Sequence, residues 1–530
     1  MATRMLRNFL GQGCRKINRR CGRRNLSSSN EGGSSIESGI NSVSLSSPPP
    51  NFPPPKYAVV DRKQHETQVT TLDNGMRVAS ENKFGEFSTV GVLIDSGSRY
   101  EVNYPSGINH FLEKLAFSKT TNYADRDKIN QVLEKVGGIC DCQSSRDTMI
   151  YAMSAETTGL PEVLDILSDV VFRPVIDDPE MEMARQTIGF ELQSHKMNPI
   201  PDILVTEKIF AAGYRSNTLG LPKICPADNI TKIDPNILYT YMNSFYDPKR
   251  IVLAGVGMDH DMLVSMAEKY FTPKSPIWTE NKTVIDPSKG MDDSIAQYTG
   301  GLVTEEVDLS SVSLGPTPMP ELAHLVIGLE SCSHKDDDFV GYCVLNMLLG
   351  GGGSFSAGGP GKGMYTRLYL NVLNQHHWIE SATAMNHAFE DTGLFVIQAS
   401  SHPSKLGELA EVISHELAQT AGTIHDVELN RAKTQLQSML MMNLEQRPVV
   451  FEDVGRQVLA SGHRKQPEHY YDLIGKITSE DIHRVAERML KTKPAVAGYG
   501  TLKKLPDLDN IQNMLLNKSK TKRRFSLFGR

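Results

Sequence analysis

Apolar and polar positions change period several times along this chain, and each change marks an element. Leu72-Asp73-Asn74-Gly75-Met76-Arg77-Val78 predicts strand, two-residue type I′ turn and strand, because Asn-Gly adopts two positive φ angles at little cost. Thr89–Asp95 is a nearly unbroken apolar run and reads as a further strand. The period then lengthens to about 3.6, which predicts helices over 107–116, 125–136, 160–171 and 179–196.

The pattern is written twice. TVGVLIDSGS at 89–98 returns as HLVIGLESCS at 324–333. The strand, loop and amphipathic helix of 146–167 return at 390–413, and the helix opening at Arg185 returns at Arg431. Each half closes on a strand ending in Gly, at Gly257 and Gly500. Offsets of 235, 244, 246 and 243 residues are too long for a solenoid repeat and predict two duplicated domains. Strands look mainly antiparallel and helices come in blocks, so the expected class is α+β. The domains are expected at 57–273 and 321–510, joined by a Pro- and acid-rich linker of weak strands at 274–320.

Composition changes the picture at the ends. Residues 1–55 carry eight basic residues against Glu31 and Glu37, a net charge of +6. The whole chain of 530 residues is at −6, so the body carries −12. An Arg-rich, Ser-rich, acid-poor leader with Met5, Leu6, Phe9 and Leu10 near one helical face predicts a mitochondrial transit peptide, cut between Arg20 and Pro48. The prolines of 48–55 form a spacer after it, and 511–530 is a basic tail. An acidic body argues against nucleic acid as a partner. No apolar run of about 18 residues predicts a membrane span. Seven Cys are too few for a disulfide scaffold, and they read as thiols in a reducing compartment. Cys140 and Cys142 alone make a weak metal signal, and His376, His377 and His387 lack ligand spacing and read as surface histidines.

Recognisable site chemistry begins at Asn109-His110-Phe111-Leu112-Glu113-Lys114-Leu115. On a helix His110, Glu113 and Lys114 share one face. H-x-x-E-H in that geometry is an inverted zinc signature, with two His ligands and Glu as general base. Here the fifth position is Lys114, which cannot donate a lone pair and repels a cation. Residues 115–190 intervene before Glu191, the spacing at which pitrilysin-type metallopeptidases place their third ligand. The chain resembles that family over both repeats, from about residue 57 to 510, and the family is built from duplicated α+β domains.

The second half carries Gly350-Gly351-Gly352-Gly353-Ser354-Phe355-Ser356-Ala357-Gly358-Gly359-Pro360-Gly361-Lys362-Gly363, eight Gly in fourteen positions with little torsional barrier. It is no phosphate loop, since Ser356 and Gly363 stand where that motif needs Gly and Ser or Thr. It resembles the glycine-rich loop of α-type, non-catalytic subunits of the family's presequence-processing enzymes.

That resemblance implies a heterodimer whose β subunit holds the zinc, with no catalytic residue, metal or other cofactor on this chain. His110, Glu113, Lys114 and Glu191 would then be remnants of a metal motif. Presequence peptides of imported proteins would meet Gly350–Gly353, Ser354, Phe355, Ser356, Gly358, Gly359, Gly361 and Gly363. Acids after the loop, Glu380, Glu390 and Asp391, are candidates to pair with presequence arginines, although solvated acids are the plainer reading. The implied location is the mitochondrial matrix, and contact with the inner membrane or a respiratory complex stays open. Three other functions are a self-sufficient zinc endopeptidase, which Lys114 opposes, a presequence receptor without catalysis, and a structural core subunit of ubiquinol–cytochrome c reductase. The nearly unbroken glycine loop argues against the last.

Overall fold

Among the described residues, eleven strands form two sheets with the same wiring. In the computed structural model the residues described are 66–197, 199–280, 285–286, 288–309, 321–350 and 364–516. Contacts divide the chain into residues 1–65 and a unit of 66–530, and all the elements named below belong to the second. The leader expected to be a transit peptide, the proline-rich spacer and the tail from 517 lie outside the described residues.

The first sheet holds β1 (Gln68–Thr71), β2 (Arg77–Glu81), β3 (Phe87–Ile94), β4 (Ile139–Ser144), β5 (Met149–Glu156) and β6 (Ile251–Val256), in the order β1-β2-β6-β3-β5-β4. The second holds β7 (Gly301–Glu306), β8 (Ala323–Glu330), β9 (Ile379–Ala388), β10 (Gly393–Ser401) and β11 (Ala495–Gly500), in the order β7-β11-β8-β10-β9. With β1 set aside the two orders correspond strand for strand. The parallel pair is β2–β6 in one and β7–β11 in the other, and the remaining pairs are antiparallel. The duplication read in the sequence is a duplication of topology. One strand, β7, comes from the stretch expected to be the linker at 274–320, so part of that stretch is sheet edge.

Among the described residues, fourteen helices of eight or more residues flank the sheets: α1 (Ile108–Leu115), α2 (Arg126–Lys135), α3 (Leu160–Phe172), α4 (Asp178–Met197), α5 (Pro201–Gly213), α6 (Pro235–Phe245), α7 (His260–Tyr270), α8 (Phe339–Leu349), α9 (Leu406–Gln419), α10 (Asp426–Asn443), α11 (Arg447–Ser461), α12 (Pro467–Lys476), α13 (Ser479–Leu490) and α14 (Leu508–Leu516). Among the described residues none is long and apolar enough to cross a membrane.

The connection at Asn74-Gly75 differs from the type I′ expectation. Gly75 has φ +90°, whereas Asn74 is not in the left-handed region. Leu72 N–H donates to Met76 O at 2.8 Å, and Asn74 Oδ1 accepts from Met76 N–H at 3.0 Å. The loop is therefore three residues long, with glycine alone at the left-handed position, because the Asn side chain caps the backbone.

Each sheet is buried on both faces, which explains the unbroken apolar run of β3. One face of the first sheet presents Val90, Val92 and Ile94 to its own repeat's helices, including α1 and α3. The other face, with Leu93, Ile150, Val252 and Ala254, is covered by Val450, Phe451, Val454 and Val458 of α11, a helix of the second repeat. Reciprocally, Val205, Ile209 and Phe210 of α5, from the first repeat, cover Val326, Leu394, Val396 and Ala497 of the second sheet. The repeats have exchanged a helix. Each such side chain contributes about 1.5–3 kcal/mol on burial, so the exchange is a main source of their attachment. Contact is close enough to demand glycine: a Cβ at Gly91 would lie 2.6 Å from Phe451 Cζ and 2.3 Å from Tyr151 O.

Ion pairs cross the same boundary. Arg464, 1% exposed, pairs through Nη1 with buried Glu81 of β2 and through Nε with Asp453 at 2.7 Å. Arg77 Nη1 donates to Val458 O at 2.7 Å. Arg99 holds Asp391 at 2.5 and 3.1 Å.

Candidate functional site

The four motif residues predicted from spacing do converge. Helix α1 opens at Gly107, whose φ of +115° lets the chain turn in against Cys225, where a Cβ would lie 2.5 Å from Sγ. The buried Glu101 carboxylate accepts from Gly107 N–H at 2.7 Å, Asn109 N–H at 2.8 Å and Asn109 Nδ2 at 2.8 Å, satisfying donors that the first helical turn leaves open. Burial outweighs these bonds and raises the Glu101 carboxyl to about 7. Anchored so, α1 directs His110, Glu113 and Lys114 at α4, which carries Glu191.

Two hydrogen bonds decide what His110 can do. Its Nδ1 accepts the Cys225 backbone N–H at 3.2 Å, so the ring proton sits on Nε2. That Nε2–H points at Glu191 Oε2, 3.2 Å away. A metal at this place needs the Nε2 lone pair, hence a proton on Nδ1, where it would collide with the Cys225 amide. Lys114 Nζ lies 2.9 Å from the same Glu191 oxygen and 3.5 Å from Glu113 Oε1. Hydrogen bonds from His110 and Lys114 overcome partial burial and lower the Glu191 carboxyl to about 2. For Lys114, burial works against the ammonium, but Glu191 and Glu113 prevail and raise its pKa.

Glu113 is engaged elsewhere. Its Oε2 accepts from Ser144 N–H at 3.0 Å and from Ser144 Oγ at 2.5 Å. Burial alone would raise its pKa, but the Lys223 charge and these bonds leave it lowered. A carboxylate held ionised by two fixed donors is poorly placed to shuttle a proton. His195, one turn beyond Glu191, is 3.9 Å from it, beyond hydrogen-bond reach, and among the described residues no three His, Cys, Asp or Glu are grouped to hold a metal. These residues do not fit zinc: one misdirected imidazole, two occupied carboxylates and an ammonium. What they do is close a charged knot between α1, α4 and the end of β4.

Of the other predicted residues, Gly351, Gly352, Gly353, Ser354, Phe355, Ser356, Gly358, Gly359, Gly361 and Gly363 lie outside the described residues. Gly350 ends α8 with φ +125°, and a Cβ there would lie 2.9 Å from Thr366 Oγ1. The described residues on either side of the glycine-rich stretch, Gly350 and Thr366, are therefore neighbours. Glu380 is exposed on β9. Exposed Glu390 pairs with Lys335 at 2.5 Å. Asp391 departs from expectation, because Arg99 and the Ala296 N–H at 2.8 Å occupy its carboxylate, which is a strut between repeats. His387 is not a surface histidine either: its ring stands 5.3 Å from Phe210, and burial lowers its pKa to about 4. Sequence reasoning missed Glu101, Ser144 and Cys225. Cys225 acts through its backbone, so no residue type could signal it.

Two family models match this chain. The model of the insulinase family, peptidase family M16, matches residues 77–227, and that of the M16 inactive domain matches residues 232–436. The chain belongs to peptidase family M16. Within it the chain is similar to proteins named mitochondrial-processing peptidase subunit alpha. The one from Pongo abelii is 53% identical over 518 residues, covering 98% of this chain and 96% of that one. The one from Bos taurus is 55% identical, covering 90% of each. A more distant one from Neurospora crassa is 34% identical, over 84% of this chain and 87% of that one. Among solved structures, a protease from Helicobacter pylori matches with a TM-score of 0.69 at 18% identity, covering 82% of this chain and 99% of that chain, which supports the shared fold.

Proposed function

We propose that this chain is the non-catalytic, substrate-recognising subunit of a heterodimeric mitochondrial processing peptidase, located in the matrix after its own leader is removed. It binds presequences through the glycine-rich stretch 350–363 and presents them to a zinc-bearing β subunit. The observation that carries this reading is the Lys114–Glu191 ion pair at 2.9 Å, with His110 turned by Cys225 to donate rather than ligate. A peptidase site so disposed has no place for its metal, while relatives of nearly the same length are named as one subunit of a larger enzyme.

Support for the glycine-rich stretch is its composition and the adjacency of its two ends at Gly350 and Thr366. Open backbone groups on such a stretch can pair with a passing extended peptide. Glu380 remains available to meet presequence arginines, whereas Lys335 engages Glu390 and Arg99 engages Asp391. Zinc content and presequence cleavage, measured for the chain with and without the β subunit, test the assignment. The pair should cleave, and the chain alone should hold no stoichiometric zinc and cleave nothing. Deleting Gly350–Gly353 should weaken presequence binding strongly while leaving assembly intact. Cleavage by the isolated chain, abolished by His110→Ala, would refute the reading.

A further inference from the structure

The second repeat carries a cavity that no motif residue lines, where the end of α13, the start of β11 and α14 meet. Its volume is about 290 Å³, and its wall includes Leu490, Lys491, Thr492, Pro494, Leu515 and Leu516. Pro494 and Leu515 are buried and Leu490 is half-buried, so the wall is mainly apolar, and Lys491 is its one charged member among the described residues. Helix α14 packs into the core of the second repeat through Ile511 and Leu515. Leu516, at the end of that helix, lines the cavity and is 60% exposed. An apolar wall left open to water is unfavourable in proportion to its area.

We infer that the occupant of this cavity is the chain's own segment Phe525-Ser526-Leu527-Phe528, which straps α14 to the end of α13. Connectivity selects it first. Leu516 is both part of the wall and the last described residue, so the chain leaves the described structure from the cavity itself. Residues 517–524 then supply Lys518, Lys520, Lys522, Arg523 and Arg524 and no apolar side chain, and Phe525, Leu527 and Phe528 follow within four positions. Eight residues of flexible chain span about 16 Å root-mean-square, enough to turn back onto the wall they start from. So short a tether holds the segment at roughly millimolar local concentration, which no free partner matches. Size and charge agree. The volume lies at the lower end of small-ligand pockets, with room for an aromatic ring and a neighbour but not for a helix of a folded partner. With Lys491 in its wall the cavity repels the cationic spacer, which stays in water, and offers nothing to a basic presequence.

The test uses the full chain with Phe528→p-azidophenylalanine, which keeps the ring and reacts on illumination with whatever lies against it. Cross-links mapped by mass spectrometry should fall in 490–494 and 512–516 of the same molecule. Cross-links to a second copy, to the β subunit or to added vesicles of anionic lipid in their place would overturn the inference, as would a ring that reacts with water alone. Amide exchange then reads the strap without a probe. Phe525→Ser combined with Phe528→Ser should quicken exchange of the α14 amides about fivefold or more and leave α1 and α4 unchanged. Phe525→Leu combined with Phe528→Leu should stay within about twofold of wild type, because leucine still fills an apolar cavity. Both positions lie beyond the last described residue, so neither pair of substitutions disturbs the packed body. Equal α14 exchange in wild type and the serine variant would overturn the inference.

Discussion

Lys114 and Glu191, separated by residues 115–190, meet at 2.9 Å and join two helices as a metal would, with an ammonium in the cation's place. The pair is partly exposed, 22% and 35%, so its strength is moderated by solvent. Its value lies in what it neutralises: without it, two carboxylates face each other across α1 and α4.

Lys114→Met should therefore lower stability by about 1–2 kcal/mol in denaturant unfolding. Glu191 has its pKa depressed to about 2 from 4.5, so its contribution is present above the ordinary value and lost as pH falls. The gap between wild type and variant should close between pH 4.5 and about 2. A constant gap across that window would show that the pair is not its source.

Glu101 gives the opposite sign. Its folded pKa, about 7, lies above the ordinary 4.5, so the native state holds a proton that the unfolded chain has already lost. Stability from this group is full below 4.5 and falls as pH rises through 7, by on the order of 3 kcal/mol. Glu101→Gln should flatten the pH dependence of unfolding between 5 and 7. An unchanged slope would place that titration elsewhere.

Two glycines should respond in opposite directions to alanine. Gly91→Ala drives a methyl into Tyr151 O and the Phe451 ring and should cost about 2–4 kcal/mol, as overpacking against backbone cannot relax. Gly189, in the middle of α4, has nothing within 4 Å of a new Cβ, and alanine there should add about 0.5–1 kcal/mol of helix stability. Melting curves of the two variants against wild type decide both.

Arg464→Met should cost about 3–5 kcal/mol, because it leaves Glu81, 5% exposed, buried without its charge partner. Adding Glu81→Gln should recover part of that loss. A single-variant loss below 1 kcal/mol would mean that water reaches Glu81.

Much of the fold was open to sequence reasoning, since period and repeat report local structure and duplication. Helices predicted at 107–116, 125–136, 160–171 and 179–196 are found as α1, α2, α3 and α4. The exchange of α5 and α11 was not, because an apolar stripe states that a helix is covered and not which sheet covers it. His110, Glu113 and Glu191 came together as spacing and resemblance required. The protonation of His110 could not be foreseen, as it depends on one amide, Cys225 N–H, far along the chain.

The helix exchange also sets an order on folding. A chain that emerges from its N-terminus first completes β6 at Val256, yet the outer face of that sheet waits for Arg447–Ser461. Nearly two hundred residues must be added before Leu93 and Val252 are covered. Until then the first repeat presents an adhesive sheet to its surroundings, which makes it a client for chaperones and ties its survival to completion of the second.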